Sequence, residues 1–297
     1  MAKLNASENK ILDEIAKWKS QSPSFLNRAT DFVSKPFSWL TSKLIPEDVK
    51  GSVNGVTEKI VEKIQDVTQW SVNSDDVLES TREFEIHSTS IEGLKKASIH
   101  DLDHVSEKFI ESNTRVGALS GVGTGIVGWP GLIADLPALF VLSIRQISQV
   151  ALCYGFDITD PDASPEDKAY EMEYMMRAFK VATSSDSVQK QRALAELKDF
   201  EAGRHSDVYS TVGGDFATKH IGKGATNFIS RMIIKEIVER TITKKAVGLV
   251  PGLGAIFGGG FNYVYLKDVG ETAFMLYRER FLLDKKGRKN TIKIDIE

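Results

Sequence analysis

Asp135, Arg145 and Asp157 are the residues of this chain whose types and spacing best fit a polar site. Two carboxylates beside a guanidinium can take up and release protons or bind a polar ligand. Asp135 follows a long apolar stretch, where a charge is costly unless a partner neutralises it. The alternative interpretation is structural, with Asp135 bound to Arg145, to Arg278 or to backbone N–H groups at a helix start. The sequence leaves both interpretations open.

The other motifs that could carry chemistry are weaker. His100 and His104 stand four residues apart, as two metal ligands on one helix face would, but no third ligand follows at a known spacing. Residues 123–128 match the GxGxxG pattern without the strand and the acidic residue that a dinucleotide site needs. Cys153 ends an apolar helix and is expected to be a buried structural thiol. We therefore predict no catalytic residue, no cofactor and no metal.

The overall composition excludes some classes of protein. The 297 residues include 38 Lys and Arg against 41 Asp and Glu, a net charge of −3, whereas dedicated nucleic-acid-binding proteins carry a positive excess. A single cysteine cannot form an internal disulfide or a paired-cysteine zinc site. The N-terminus has no apolar run of the length found in secretory signal peptides. We expect a cytoplasmic protein without a nucleic-acid partner.

The elements that must position these residues are helices. Apolar residues recur every three or four positions at 11–18 and again at 53–67, as on the buried face of an amphipathic helix. Ser164-Pro165 is a typical helix start. Further helices are predicted at 75–113, at 165–182, from a cap at 184–187 to about 200, and at 228–241. The only alternating pattern, at 291–296, is too short for a sheet, so the sequence predicts an all-α helical bundle.

Two uncharged glycine-rich segments, 116–134 and 246–266, are expected at the centre of this bundle as helical hairpins. Gly117, Gly121 and Gly125 share one helix face, and the second segment has the same four-residue glycine spacing. Since glycine weakens a helix by up to about 1 kcal/mol relative to alanine, such repetition favours close helix–helix contact. Two interpretations stay open: the hairpins pack in a soluble core, or they insert into a membrane.

The two segments also resemble each other, which suggests an internal pseudo-repeat. Each leads to an aspartate, Asp135 or Asp268, and an arginine follows each aspartate ten residues later, at Arg145 or Arg278. Trp129-Pro130-Gly131 is expected to interrupt any continuous helix in the first segment, because proline lacks a backbone donor.

Several motifs together resemble the EcsC family, in order along residues 75–283. In the first half they are Gly117-Ala-Leu-x-Gly121, the run from Trp129 to Pro137, Arg145, and Tyr154-Gly155-Phe156-Asp157. In the second half they are Val250-Pro251-Gly252-Leu-Gly254, Asn262-Tyr263, and the stretch from Ala273 to Arg280. The matching positions are Gly121, Pro130, Gly131, Asp135, Arg145, Gly155, Asp157, Pro251, Gly252, Gly254 and Asn262.

The resemblance implies a helical protein that is cytoplasmic or membrane-associated, and it transfers no catalytic residue. It places an EcsC-like helical domain at 75–283. Residues 1–70 are then an N-terminal amphipathic helical extension, and residues 284–297 a basic tail.

The function expected from these observations is that of a non-enzymatic, membrane-associated accessory protein. Aromatic residues among lysines near the N-terminus, together with the basic tail, fit reversible binding to an anionic membrane surface or to a membrane protein complex. A mean hydropathy of −0.19 favours peripheral association over an integral protein. The alternatives are an enzyme with a polar site around Asp135, Arg145 and Asp157, and a soluble helical interaction scaffold.

Overall fold

The computed structural model describes residues 4–23, 47–65, 72–121, 128–158, 160–204, 225–248 and 261–294. These ranges form nine α-helices and one short 3₁₀ helix at Glu92–Lys96, and they contain no strand. The prediction of an all-α fold is therefore confirmed. The helices are α1 (Ala6–Ser20), α2 (Glu47–Gln65), α3 (Ser74–Arg82), α4 (Ile99–Gly121), α5 (Gly128–Cys153), α6 (Pro165–Ala182), α7 (Ser187–Arg204), α8 (Ala225–Gly248) and α9 (Phe261–Ile294).

Two of the helix starts follow local capping rules. The Ser164 hydroxyl accepts a hydrogen bond from Asp167 N at 3.1 Å, and Pro165 takes the first position of α6, where a backbone donor has no helical acceptor. At α1, Asn5 and Glu8 form a capping box in which each side chain accepts from the other residue's backbone N–H. α6 therefore has the predicted bounds of 165–182.

The helix predicted at 75–113 is divided in the structure, because α3 ends at Arg82. A Schellman motif closes α3: Ile86 N donates to Thr81 O and Glu85 N donates to Arg82 O, both at 3.1 Å. Glu85 takes the left-handed position of this motif, with a φ of 60°, where glycine is the usual residue. A glutamate at this position does not signal a turn. For this reason the hydrophobic pattern predicts a helix that continues past Arg82.

α5 and α9 form the centre of the bundle. α9 packs against α1, α4, α5 and α6, while α5 packs against α2, α4, α6 and α9. Large aromatic side chains fill the space between these helices, and the rings of Phe140 on α5 and Phe179 on α6 meet edge to face with centroids 5.1 Å apart. The predicted apolar stripe of α1 is buried against α7 and α9.

Among the described residues, one stretch is long and apolar enough to cross a membrane, Ile133–Cys153 of α5. In this fold 78% of that stretch is buried by the other helices, as in the core helix of a globular bundle. Trp129-Pro130-Gly131 lies in the first turn of α5, where proline is tolerated because the N–H groups have no helical acceptor.

The predicted domain division remains a prediction. α1 belongs to the predicted extension at 1–70, yet it packs on the body of the bundle. At the other end, α9 continues to Ile294, so the predicted tail at 284–297 begins within a helix.

Candidate functional site

Four helix ends meet at one end of the bundle, which we call the glycine-rich end. α4 and α8 finish there and α5 and α9 begin there, so the helices that flank both glycine-rich segments converge. An ideal Cβ placed on Gly117 of α4 would lie 1.9 Å from Leu266 Cδ1 of α9, a contact between the described flanks of the two segments. The middle parts of the two segments predicted as hairpins, residues 122–127 and 249–260, lie outside the described residues.

A buried polar cluster of Asp135, Lys245 and Asn262 joins three of these helix ends. Lys245 Nζ on α8 lies 2.8 Å from Asp135 Oδ2 on α5, and Asn262 Nδ2 on α9 donates to the same oxygen at 3.3 Å. Burial lowers the pKa of Lys245, and the charge of Asp135 opposes this effect. Asp135 thus has the charged partner that the structural interpretation requires, but this partner is Lys245 and not Arg145 or Arg278.

The neighbouring residue, Lys244, is also buried, and the charge of Asp268, the other aspartate of the predicted pseudo-repeat, acts on it. Its Nζ donates to Ala182 O at 3.3 Å. Burial lowers the pKa of Lys244 to about 8, while the negative charge of Asp268 acts in the opposite direction. Lys245 is therefore ion-paired with Asp135, whereas Lys244 is hydrogen-bonded to a backbone carbonyl. Duplication of the two segments stays a prediction.

The three residues of the predicted polar site do not come together. Arg145 is exposed on α5, ten residues from Asp135 and therefore about 15 Å further along the helix axis. Asp157 lies beyond the end of α5, where its Oδ2 accepts a hydrogen bond from Ser74 Oγ at 3.1 Å. The geometry thus gives each of the three a different environment.

The motif at 154–157 ends α5. Phe156 N donates to Ala151 O and Gly155 N donates to Leu152 O, both at 3.0 Å, which is a Schellman motif with Gly155 at a φ of 83°. A Cβ at Gly155 would also lie 2.5 Å from Lys95 Cγ. The glycine in this motif is therefore required by the backbone, and the aspartate after it ties the turn to α3 through Ser74.

A second buried group of charges holds α4, α5 and α9 together. Asp103 Oδ1 accepts from the Tyr154 hydroxyl at 2.7 Å, and Asp103 Oδ2 lies 2.9 Å from Arg278 NH2. Burial raises the pKa of Asp103 even though Tyr154 and Arg278 both favour its charged form. Arg278, the arginine of the second predicted repeat, is therefore bound to Asp103 and not to Asp135.

The two histidines of the predicted pair contact neighbouring side chains, and the cysteine is buried. His100 Nε2 lies 2.6 Å from Ser7 Oγ, and the His104 ring stacks on Phe84. In the part of the chain that the structure describes, no three His, Cys, Asp or Glu side chains are grouped as metal ligands would be. Cys153 is buried, and burial raises the pKa of its thiol far above the ordinary value.

For several predicted positions the structure does not describe the residue or its surroundings. Gly125, Pro251, Gly252 and Gly254 lie outside the described residues, as does most of the GxGxxG match at 123–128. Gly121 ends α4 and Pro130 lies in α5, but the described surroundings do not include these two residues. Gly131 is half-buried on α5.

Sequence reasoning missed the lysines and Asp103. Lys244-Lys245 directly precedes an uncharged segment of 21 residues, which is a recognisable signal for a charge pair at a segment boundary. Asp103 offers no comparable signal, since it lies in an ordinary amphipathic helix and both of its partners are distant in the sequence.

Comparison with known proteins gives a consistent result along most of the chain. A family model described as the EcsC protein family matches residues 9–282. The chain is 26% identical over 279 residues to the "Uncharacterized protein YdbA" of Bacillus subtilis (strain 168), covering 92% of each chain. It is 28% identical over 232 residues to "Protein EcsC" of the same organism, covering 78% of this chain and 85% of that protein. No solved structure gives a significant match.

Proposed function

We propose that the protein functions through its glycine-rich end. The chain belongs to the EcsC protein family over residues 9–282, and this match includes the four helix ends that meet there. The protein is a non-enzymatic accessory protein that binds membranes peripherally from the cytoplasm. In this proposal the glycine-rich end faces the bilayer, and the partner is an anionic lipid surface or a membrane protein complex.

The convergence of four helix ends is the observation that carries this proposal. Residues 122–127 connect α4 to α5, and residues 249–260 connect α8 to α9, so both uncharged connections begin and finish at the glycine-rich end. Two apolar segments that leave a bundle at one end can meet the same surface together. If the two connections left the bundle at opposite ends, they could not both contact the same membrane surface.

Exposed apolar side chains at the same end support the proposal. Val116 on α4 and Tyr263 on α9 are 53% and 40% exposed, and each lies within one of the two glycine-rich segments. These two side chains lie beside the apolar connections and add apolar surface at the end that we assign to the membrane. Tyrosine is also well suited to the boundary between lipid and water, because its ring is apolar and its hydroxyl is polar.

The burial of α5 supports peripheral association over a permanent span. The apolar surface of Ile133–Cys153 is largely covered by neighbouring helices, so it is not free to contact lipid in this fold. The enzyme alternative requires Asp135, Arg145 and Asp157 in one site, and these residues are separated along and beyond α5. The soluble scaffold alternative predicts that the protein does not bind vesicles, and the experiment below distinguishes it from our proposal.

Vesicle flotation with matched variants of α9 tests the proposal. The purified full-length protein is mixed at low salt with vesicles of equal parts phosphatidylglycerol and phosphatidylcholine. Tyr263→Glu places a charge at the glycine-rich end, while Leu283→Glu places the same charge on the same helix about 30 Å away. The two positions are comparably exposed, at 40% and 47%.

We expect the unmodified protein and Leu283→Glu to float, and Tyr263→Glu to remain largely in the soluble fraction. High salt should weaken the binding, because cations near an anionic surface contribute through screened electrostatics. Unfolding midpoints of the variants establish that both remain folded. If the unmodified protein stays soluble with anionic vesicles at low salt, the soluble scaffold replaces our proposal. Equal flotation of the two variants would exclude the glycine-rich end as the contact.

A further inference from the structure

Two exposed cations lie near the glycine-rich end. In the described parts of the four helices that meet there, Arg115 and Lys267 are the exposed basic residues within ten positions of the helix end. The other basic residues of this region, Arg240, Lys244 and Lys245, are buried. Of the described cations on these helices, a negatively charged surface at this end can therefore reach Arg115 and Lys267.

The contact between Gly117 and Leu266 places these two cations at nearly the same distance from the end. Arg115 precedes Gly117 by two residues on α4, and Lys267 follows Leu266 by one residue on α9. Since α4 runs toward the end and α9 runs away from it, both backbone positions lie about 1.5–3 Å behind the contact. The two side chains can therefore be compared directly.

The side chains of Arg115 and Lys267 lean in opposite directions, because long side chains of an α-helix point back toward its N-terminus. Lys267 leans toward the glycine-rich end, where α9 begins. Arg115 leans away from it along α4, and its NH2 lies 2.5 Å from Glu111 Oε1, one turn further from the end. The charge of Arg115 is thus both paired and turned away from the end.

The charge of Lys267 is available at the surface. Lys267 is exposed, and the ion pairs among the described residues do not include it. Burial raises the pKa of Glu271, one turn further along α9, and the positive charge of Lys267 acts against this rise. Glu271 lies further from the end, so the ammonium of Lys267 stands between this carboxyl group and a surface that contacts the end.

Tyr263 lies on the same face of α9 as Lys267, one turn nearer the glycine-rich end. Its side chain is 40% exposed. A tyrosine ring suits the boundary between acyl chains and water, and a lysine behind it extends its ammonium to the level of the headgroups. The ring and the cation are therefore arranged in the order in which a phospholipid surface presents its apolar and anionic parts.

We propose that Tyr263 and Lys267 bind a phospholipid headgroup, with the Lys267 ammonium on the phosphate and the Tyr263 ring at the boundary with the acyl chains. The inference rests on the proposed function and narrows its partner to an anionic lipid. Because the charge of Arg115 is paired and turned away, the binding depends on one face of α9 and not on the total charge of the glycine-rich end.

Flotation of matched charge variants tests the headgroup contact. Lys267→Gln and its control, Arg115→Gln, each remove one exposed cation at nearly the same distance from the end. With the same anionic vesicles at low salt, Lys267→Gln should bind about fivefold more weakly and depend less on salt. Arg115→Gln should bind like the unmodified protein. Lys267→Arg should retain binding, since a guanidinium also binds phosphate.

The outcomes separate this inference from the proposed function. If the unmodified protein floats and Lys267→Gln floats equally well, or if Lys267→Gln and Arg115→Gln lose binding equally, the headgroup contact is overturned while the membrane association stands. If the unmodified protein does not float, both are overturned. Unfolding midpoints establish that the variants remain folded.

Amine footprinting tests the same contact without a substitution. Exposed lysines of the unmodified protein are acetylated with and without the vesicles, and the modified residues are measured by mass spectrometry. Lys267 should be protected several-fold by the vesicles. Lys108, 45% exposed on α4 and about 20 Å from its glycine-rich end, should keep its rate. Unchanged acetylation of Lys267 in the vesicle-bound protein would overturn the inference.

Discussion

Leu266 Cδ1 occupies the space that a Cβ of residue 117 would fill, so that α4 and α9 approach each other where Gly117 has no side chain. The glycine of α4 is therefore matched to a particular leucine of α9. This pair is the described part of the close contact that the spacing of the glycines predicts, and it makes the cost of a side chain at residue 117 measurable.

Gly117→Ala should destabilise the protein, although alanine is the better helix former. The new methyl group collides with buried Leu266, and overpacking of this kind costs about 1–3 kcal/mol. In a Leu266→Ala background the sign should reverse, since the collision is gone and the helix gains up to about 1 kcal/mol. Gly55→Ala on α2 is the control, because nothing lies within 4 Å of its Cβ, and it should stabilise. Urea unfolding gives all four free energies. A stabilising Gly117→Ala in the unmodified background would refute the contact.

The Asp135–Lys245 pair should behave as a buried ion pair. Both side chains are less than a tenth exposed, so Lys245→Met or Asp135→Asn leaves an uncompensated group and should cost about 3 kcal/mol each. The double variant should cost clearly less than the sum of the two. The exposed pair of Lys108 and Glu83 is the control, and Lys108→Met should cost less than about 1 kcal/mol. Additive effects at Asp135 and Lys245 would mean that the two charges are not coupled.

Glu201 should make the protein less stable as the pH rises through the mildly acidic range. Burial, reinforced by the negative charge of Glu279, raises the pKa of Glu201 from 4.5 to about 6. Because the folded state disfavours the ionised form, stability is lost between about pH 4.5 and pH 6, by up to about 2 kcal/mol. Glu201→Gln should therefore stabilise the protein above pH 6 and change little at pH 4. Denaturant unfolding at several pH values measures this, and an identical difference at every pH would exclude the effect.

The two Schellman motifs predict substitutions of opposite sign. Gly155→Ala forces a side chain into left-handed backbone, at about 1–2 kcal/mol, and into contact with Lys95. Glu85→Gly relieves the same backbone cost at the end of α3 and should stabilise the protein by up to about 1 kcal/mol. Thermal or urea midpoints measure both changes. A neutral Gly155→Ala would show that the end of α5 can adopt another turn.

Local signals in the sequence predicted those parts of the fold that local chemistry determines. Ser164 and Pro165 set the start of α6, and the stripe of Ile11, Ile15 and Trp18 identified the buried face of α1. The family could be predicted in the same way, since its motifs are contiguous, and the match over residues 9–282 confirms it. In each case the residues that decide the outcome are neighbours in the sequence.

The partners of the buried charges could not be predicted, because they depend on tertiary neighbours. Asp135 is bound to a lysine 110 residues away, whereas the sequence offered Arg145, Arg278 or backbone N–H groups as its partners. Arg278 is bound instead to Asp103, across 175 residues. Glu85 shows the same limit at short range, since its left-handed backbone is imposed by the closure of α3 and not by its residue type.

The docking of α1 also has a consequence for the order in which the protein folds during translation. α1 leaves the ribosome long before the residues of α7 and α9 that hold it, which extend as late as Lys285. Until those helices are made, Ile11, Ile15 and Trp18 lack the surface that covers them in the folded protein, and such long-range contacts form slowly. The growing chain therefore exposes an apolar helix that a chaperone can bind, and a chain terminated before α9 can never dock it.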